Sequence, residues 1–193
     1  MRKLIAAINM TLDGFCDHTT LIADEEIHQH YNELLRSAGA VLYRRITYQL
    51  MEYWPPIVKN PTGNKAMDEF AITMDNVPKI VFSRTLQHVE WKTARLAKDD
   101  IQEEVAALRQ QAGKDILVGS RSLIVTLLNL NLIDEFQICV QPIIAGKGLP
   151  LFENIKDRID IKLLKTKIFD CGAVILYYKP EKLYLSQNSG NEK

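Results

Sequence analysis

"VLYRRITYQL", residues 41–50, is the stretch on which the fold turns. The apolar run Val41-Leu42-Tyr43 reads as a buried strand, and it ends at once in Arg44, Arg45 and the hydroxyl of Thr47. A short helix, "RITYQLMEYW", follows. It must end before Pro55-Pro56, because proline lacks an amide donor and crowds the preceding turn. A strand that passes directly into a helix is the building unit of an α/β sheet.

The same alternation extends on both sides. "KLIAAINM" (residues 3–10) fits a buried strand, and "LDGF" turns at Asp13-Gly14. "DEEIHQHYNELLRSAG" predicts a helix from Asp24, with Ile27, Tyr31, Leu34 and Leu35 at helical spacing and Gly39 closing it. "AVLY" (residues 40–43) is the next strand, and residues 57–64 form a loop. "KAMDEFAITMDN" is helical, residues 79–82 are a strand, and "HVEW" is a short one. "DDIQEEVAALRQQAGK" is a helix capped by Asp99 or Asp100, with Gln102 or Glu103 completing a capping box and Gly113 ending it.

"DILVG" is a further strand, and "SRSLIVTLLNLN" a helix that opens at a glycine. Then the rhythm changes. "DEFQICVQPII" is a strand, "AGKGLPLF" a glycine-rich loop, and "IDIKLLKTKIF" and "AVILYYKP" a hairpin through Asp170-Cys171-Gly172. The expected fold is α/β: a mixed, mostly parallel central sheet flanked by helices, with antiparallel C-terminal strands. Residues 1–180 make a single domain, and residues 181–193 a polar tail.

Among the 193 residues, 24 Lys+Arg balance 24 Asp+Glu, so bulk charge gives no reason to expect nucleic acid or a membrane surface as partner. Cys16, Cys139 and Cys171 are scattered, with no Cys-x-x-Cys pair, and read as buried thiols in a reducing cytosol. The N-terminal apolar run soon meets Asn9, Thr11 and Asp13, too short and polar for a signal peptide or spanning helix. A cytoplasmic protein is expected.

Ligands of open α/β sheets collect outside the carboxyl ends of the strands. Three strand exits carry suitable groups: Arg44-Arg45-Ile46-Thr47, Ser83-Arg84-Thr85 and Gly119-Ser120-Arg121-Ser122. Helix N-termini offer free amides to phosphate, arginine adds a bidentate fork, and Gly119 permits close backbone approach. The bland alternatives are a solvated turn, a plain N-cap and surface ion pairs. Neither a dinucleotide Gly-x-Gly-x-x-Gly after the first strand nor a P-loop is present. "GKG" (residues 146–148) reads equally as a turn requiring positive φ. His28 and His30 are two apart and diverge on a helix, so they do not chelate, and no catalytic triad or metal site emerges. This scarcity suits hydride transfer, in which a cofactor carries the chemistry.

The order of "TLDGF", "RRITY", "IVFSRTL", "ILVGSRSL" and "QPIIAGKGLPLF" resembles the dihydrofolate-reductase-like superfamily. It is most similar to the reductase domain of the bifunctional riboflavin-biosynthesis deaminase/reductase and its stand-alone relatives. The resemblance covers about residues 2–179, and "PIIAGKGLPLF" is its most specific piece. It implies NADPH as cofactor and commonly a homodimer. Arg45, Ile46 and Thr47 match one cofactor segment, and Ser83, Arg84 and Thr85 the segment that meets the adenosine 2′-phosphate. Gly119, Ser120, Ser122 and Leu123 match the glycine turn beside the pyrophosphate. Asn9, Thr11, Asp13 and Gly14 stand where the family's substrate pocket begins, and Tyr48 is a candidate for its reacting end.

Glu25 and Glu26 lie near the acid that protonates pterins in dihydrofolate reductases, but equally suit a helix N-terminus. Lys147 is a candidate for a substrate phosphate. The family usually has glycine where this chain has Arg44. That side chain hinders the cofactor, points outward or adds a phosphate contact. The implied activity is NADPH-dependent reduction of a small pterin- or pyrimidine-like heterocycle. The alternatives are a nucleotide-binding or structural relative without turnover, and an interaction module built on the late hairpin.

Overall fold

The structure is a computed structural model and describes residues 1–16 and 24–181. The expected tail, apart from Glu181, lies outside the described residues. The strands are β1 (Leu4–Thr11), β2 (Ala38–Arg44), β3 (Lys79–Phe82), β4 (Ala94–Leu96), β5 (Asp115–Val118), β6 (Glu135–Gln141), β7 (Ile161–Ile168) and β8 (Val174–Pro180). The helices are α1 (Glu25–Arg36), α2 (Arg45–Met51), α3 (Trp54–Lys59), α4 (Lys65–Asn76), α5 (Ile101–Gln110) and α6 (Arg121–Asn129).

The strands form one sheet in the order β4-β3-β2-β5-β1-β6-β8-β7. Its first six strands are parallel, and β8 pairs antiparallel with both β6 and β7. This is the expected mixed sheet, of dihydrofolate-reductase-like type. Side chains alternate across it. Leu4, Ala6, Leu42, Ile80 and Val118 pack with Val105 of α5 and Leu127 of α6 on one face. Ile5, Val41, Val81 and Leu117 pack with Leu35 of α1 and Phe70 and Met74 of α4 on the other. Burial on both faces explains why the parallel strands read as continuous apolar runs.

Side-chain caps set several helix starts. Asp24 Oδ1 accepts from Ile27 N at 2.8 Å, and Asp100 Oδ1 accepts from Gln102 N and Glu103 N at 2.8 and 3.0 Å. Asp100, not Asp99, is therefore the cap of α5.

Three local expectations are corrected. Gly39 does not close a helix; it lies inside β2, at a register shift between Ala38 and Ala40. Residues 57–59 are not loop, because Pro55 and Pro56 open α3 instead of only ending α2. The first turn of a helix needs no amide donors, so proline fits there. "HVEW" is not a strand; the edge strand is Ala94–Leu96, three residues beyond it.

Lys79 begins β3 with its side chain sealed inside, at 1% exposure. Nζ donates to Val77 O at 2.7 Å and Thr93 Oγ1 at 2.9 Å, and sits 3.8 Å from the Trp91 ring centroid. Burial pushes the ammonium down to about 7, against the opposing charge of Asp75. The unfolded chain keeps this proton to a higher pH than the native state. Native stability therefore rises with pH above about 7 as the folded protein sheds the proton, and this gain is absent at lower pH. Denaturant melts of wild type and Lys79→Met at pH 7 and 9 check this: the wild type gains on the variant at the higher pH.

Candidate functional site

The carboxyl ends of β1, β2, β3 and β5 open into a cleft of about 730 Å³. That volume falls within the range of small-molecule sites. All three expected strand exits reach it. Arg44, Arg45, Ile46 and Thr47 line it from the β2–α2 junction, Ser83, Arg84 and Thr85 from the end of β3, and Gly119, Arg121 and Ser122 from the β5–α6 junction. The parallel strands bring these separate segments to one edge of the sheet.

Two residues of the expected cofactor set hold the frame and do not line the cleft. Ser120 Oγ accepts from Arg44 N at 2.9 Å, tying the exits of β2 and β5 together. Leu123 is buried in the core. Ser83 Oγ accepts from Thr85 N at 3.1 Å and Leu86 N at 3.0 Å, so it shapes the loop that presents Arg84.

On the substrate side Asn9 lines the cleft, with its Oδ1 accepting from Gln141 Nε2 at 3.1 Å. Thr11, Asp13 and Gly14 instead build the turn beside it. Thr11 Oγ1 donates to Asp13 Oδ1, and the Asp13 carboxylate accepts from Ala145 N at 3.1 Å and Gly146 N at 2.7 Å. These bonds, led by the one from Thr11, hold its carboxyl down at about 2. Asp13 thus fastens the glycine-rich loop to the exit of β1. Gly146 and Gly148 have φ of +71° and +148°, the conformation allowed for in the turn reading.

Lys147 is exposed and outside the cleft lining. Tyr48 is buried, with its hydroxyl oxygen accepting from Trp91 N at 3.3 Å, and it too is outside that lining. Neither Glu25 nor Glu26 lines the cleft; Glu26 Oε2 accepts from Asp170 N at 3.1 Å.

The opposite wall comes from residues that the sequence reading did not assign to the site. Ile27, His28 and Tyr31 of α1, Trp54 of α3 and Phe70 of α4 line it. Trp54 meets Phe70 edge-on at 4.6 Å between centroids, and His28 meets Phe70 at 5.9 Å. His28 Nδ1 lies 2.9 Å from Asp24 O, a carbonyl that can only accept, so this nitrogen carries the proton. The helical spacing marked Ile27 and Tyr31 as inward, but not that their face opens on a cleft. Cys16 also lines the cleft, and burial pushes its thiol up to about 11, so it stays protonated near neutrality.

The electrostatics are one-sided. Four arginines line the cleft, and no carboxylate among the described residues does. Arg121 is engaged by Pro150 O at 2.7 Å and Glu153 Oε2 at 3.3 Å. An arrangement of this kind accepts an anionic ligand along the strand exits and a flat ring against the aromatic wall. The described residues contain no group of three or more potential metal ligands.

The model of the RibD C-terminal domain matches residues 2–175. The chain belongs to the RibD C-terminal domain family. Similar to this RibD C-terminal domain is the uncharacterised protein YyaP of Bacillus subtilis (strain 168), 33% identical over 183 residues, covering 92% of this chain and 94% of that one. Among solved structures, a protein from Shewanella sp. PV-4 named for riboflavin biosynthesis superposes with a TM-score of 0.74 at 18% identity, covering 93% of this chain and 99% of that one. The deaminase/5-amino-6-(5-phosphoribosylamino)uracil reductase of Thermotoga maritima superposes at 0.65 with 17% identity, covering 93% of this chain but 56% of the longer protein. At these identities the structural matches establish the shared fold. The sequence match establishes a reductase-like domain of the RibD type.

Proposed function

We propose that this RibD C-terminal domain is an NADPH-dependent reductase of a small pterin- or pyrimidine-like heterocycle, resembling 5-amino-6-(5-phosphoribosylamino)uracil reductase and dihydrofolate reductase. The observation that carries this reading is the convergence of three strand exits, with their arginines and Gly119, on one cleft that no carboxylate among the described residues lines. The residues present fit the cofactor. Arg84, with Ser83 and Thr85, would hold the adenosine 2′-phosphate. Arg45 and Thr47 would hold phosphate at the start of α2, and Gly119 leaves room for the dinucleotide backbone.

When bound, NADPH supplies the hydride. The chain's own residues bind, orient and exclude water. Asn9 and the aromatic wall would position the ring, and Thr11, Asp13 and Gly14 would support that end of the pocket. His28 donates its Nδ1–H to Asp24 O in a hydrogen bond, and its Nε2 would be the ring atom that exchanges a proton with the ligand. The reading extends to a cytoplasmic homodimer. No helix among the described residues is long and apolar enough to cross a membrane.

The second reading, a nucleotide-binding relative without turnover, draws on Arg44 in the place of the family's usual glycine and on the absence of a lining carboxylate among the described residues.

Calorimetric titration of NADPH and NADH into wild type and Arg84→Ala tests the proposal. Loss of a charge-assisted contact to phosphate costs about 1.5–3 kcal/mol, or roughly 10–100-fold in Kd. The variant is expected to lose that much affinity for NADPH and little for NADH. Equal affinity of wild type and variant for NADPH would refute the assignment of Arg84. Oxidation of bound NADPH by any of a panel of pterins and aminopyrimidines decides between reductase and binding protein.

A further inference from the structure

Arg44 is half-buried in the cleft at the junction of β2 and α2. Its Nη2 donates to Thr126 Oγ1 at 3.3 Å, while its Nε is buried and has no hydrogen-bond partner. Burial, and then the positive charge of Arg84, lowers the pKa of Arg44. Arg44 and Arg84 stand at the ends of the paired parallel strands β2 and β3, with Arg44 in register with Phe82, and both line the cleft.

Other arginines of the chain are engaged: Arg95 is paired with Glu104, Arg109 with Asp134, and the buried Arg2 donates to the carbonyls of Lys114 and Leu108. Among the described residues neither Arg44 nor Arg84 has a carboxylate partner. A partly desolvated, unpaired cation beside another cation is costly, and an anion between them removes both penalties. The planar forks of two arginines suit the oxygens of one phosphate.

We infer that Arg44 and Arg84 together seat one phosphate monoester in the cleft, with Arg44 as a determinant of specificity for a phosphorylated ligand. Of the three roles open to Arg44 in sequence, this is the added phosphate contact. The chemistry is that of a phosphate monoester on a sugar. It is either the 2′-phosphate of the proposed cofactor or a ribosyl phosphate on the substrate. The inference rests on the cleft being the ligand site and not on which of these two is bound.

The test is calorimetry at low ionic strength with adenosine 2′-monophosphate, ribose 5-phosphate, NADPH and NADH, using wild type, Arg44→Gln and Arg44→Lys. Expected is binding of at least one phosphomonoester, weakened about 10–100-fold in Arg44→Gln and partly kept in Arg44→Lys. If the affected ligands are adenosine 2′-monophosphate and NADPH, with NADH unmoved, the phosphate is the cofactor's. If the affected ligand is ribose 5-phosphate and NADPH does not bind, the seat stands and the cofactor reading falls. If Arg44→Gln binds NADPH as the wild type does and shows no loss toward either monophosphate, the inference is overturned and the cofactor reading survives. A wild type that binds no phosphomonoester overturns it as well.

The ligand-free melting temperature gives an independent check. Removing an unpaired, shielded charge is expected to raise it in Arg44→Gln, and millimolar inorganic phosphate is expected to raise it more in wild type than in the variant. A fall in the ligand-free variant without a difference in phosphate response would assign Arg44 a structural role and overturn the inference.

Discussion

Gly119→Ala is expected to weaken nucleotide binding by about 100-fold while leaving the fold as stable as before, or more so. A Cβ at this position would meet Tyr43 Cε1 at 3.4 Å and Ala7 O at 4.0 Å, both ordinary contacts, and nothing else within 4 Å. Its φ is not in the left-handed region. Replacing glycine where the backbone tolerates a side chain stabilises by about 0.4–1 kcal/mol, through the unfolded state. Tyr43 and Ala7 themselves line the cleft, so the new methyl group enters space meant for ligand. Overlap of that kind costs about 3 kcal/mol, which is more than ~100-fold in Kd. Paired thermal melts and NADPH titrations check both halves. A variant that binds NADPH like the wild type would show that the dinucleotide does not pass Gly119.

Gly39→Ala has the opposite signature. Here a Cβ would lie 2.6 Å from Arg2 Nη2 and 2.9 Å from Lys114 O. Arg2 is buried at 7% exposure and donates to the carbonyls of Lys114 and Leu108. The guanidinium cannot retreat without leaving those carbonyls, and Lys114 O belongs to the backbone entering β5. Overpacking, together with the loss of these hydrogen bonds, is expected to cost about 3 kcal/mol, a fall of roughly 6–12 °C in Tm. The cleft is at the other end of β2, so ligand affinity measured below the transition should be unchanged. A melt that matches the wild type would mean that β2 shifts to accept the methyl group.

These two glycines show what could be read in sequence and what could not. Gly119 was legible because it follows "DILV" and opens a helix, and parallel strands send all such exits to one edge. The convergence of Arg44, Arg84 and Gly119 followed from the alternation of strand and helix alone. Gly39 was misread as a helix stop because its constraint comes from Arg2 and Lys114, which approach from distant parts of the chain. Asp13 carries the same lesson: its partners, Ala145 and Gly146, are more than a hundred residues away, so its turn was legible but its fastening of the glycine-rich loop was not.

Pro55 and Pro56 were read as a stop, yet a helix start accepts proline for the same reason that a helix interior does not. The strand Ala94–Leu96 is three half-buried residues long and shows no alternation to find. The aromatic wall was hidden differently. Periodicity marks the inward side of α1, and Trp54 and Phe70 as apolar residues. Which part of that inward side faces a cleft depends on how α1, α3 and α4 pack together.

The most direct measurement is a fluorescence titration of the protein with NADPH, reading energy transfer from Trp54, which lines the cleft. Expected is saturation at one NADPH per chain, with NADH at least about tenfold weaker, as a lost phosphate contact requires. No saturable signal for either nucleotide up to about 1 mM, where binding free energy falls to roughly 4 kcal/mol, would contradict the cofactor assignment.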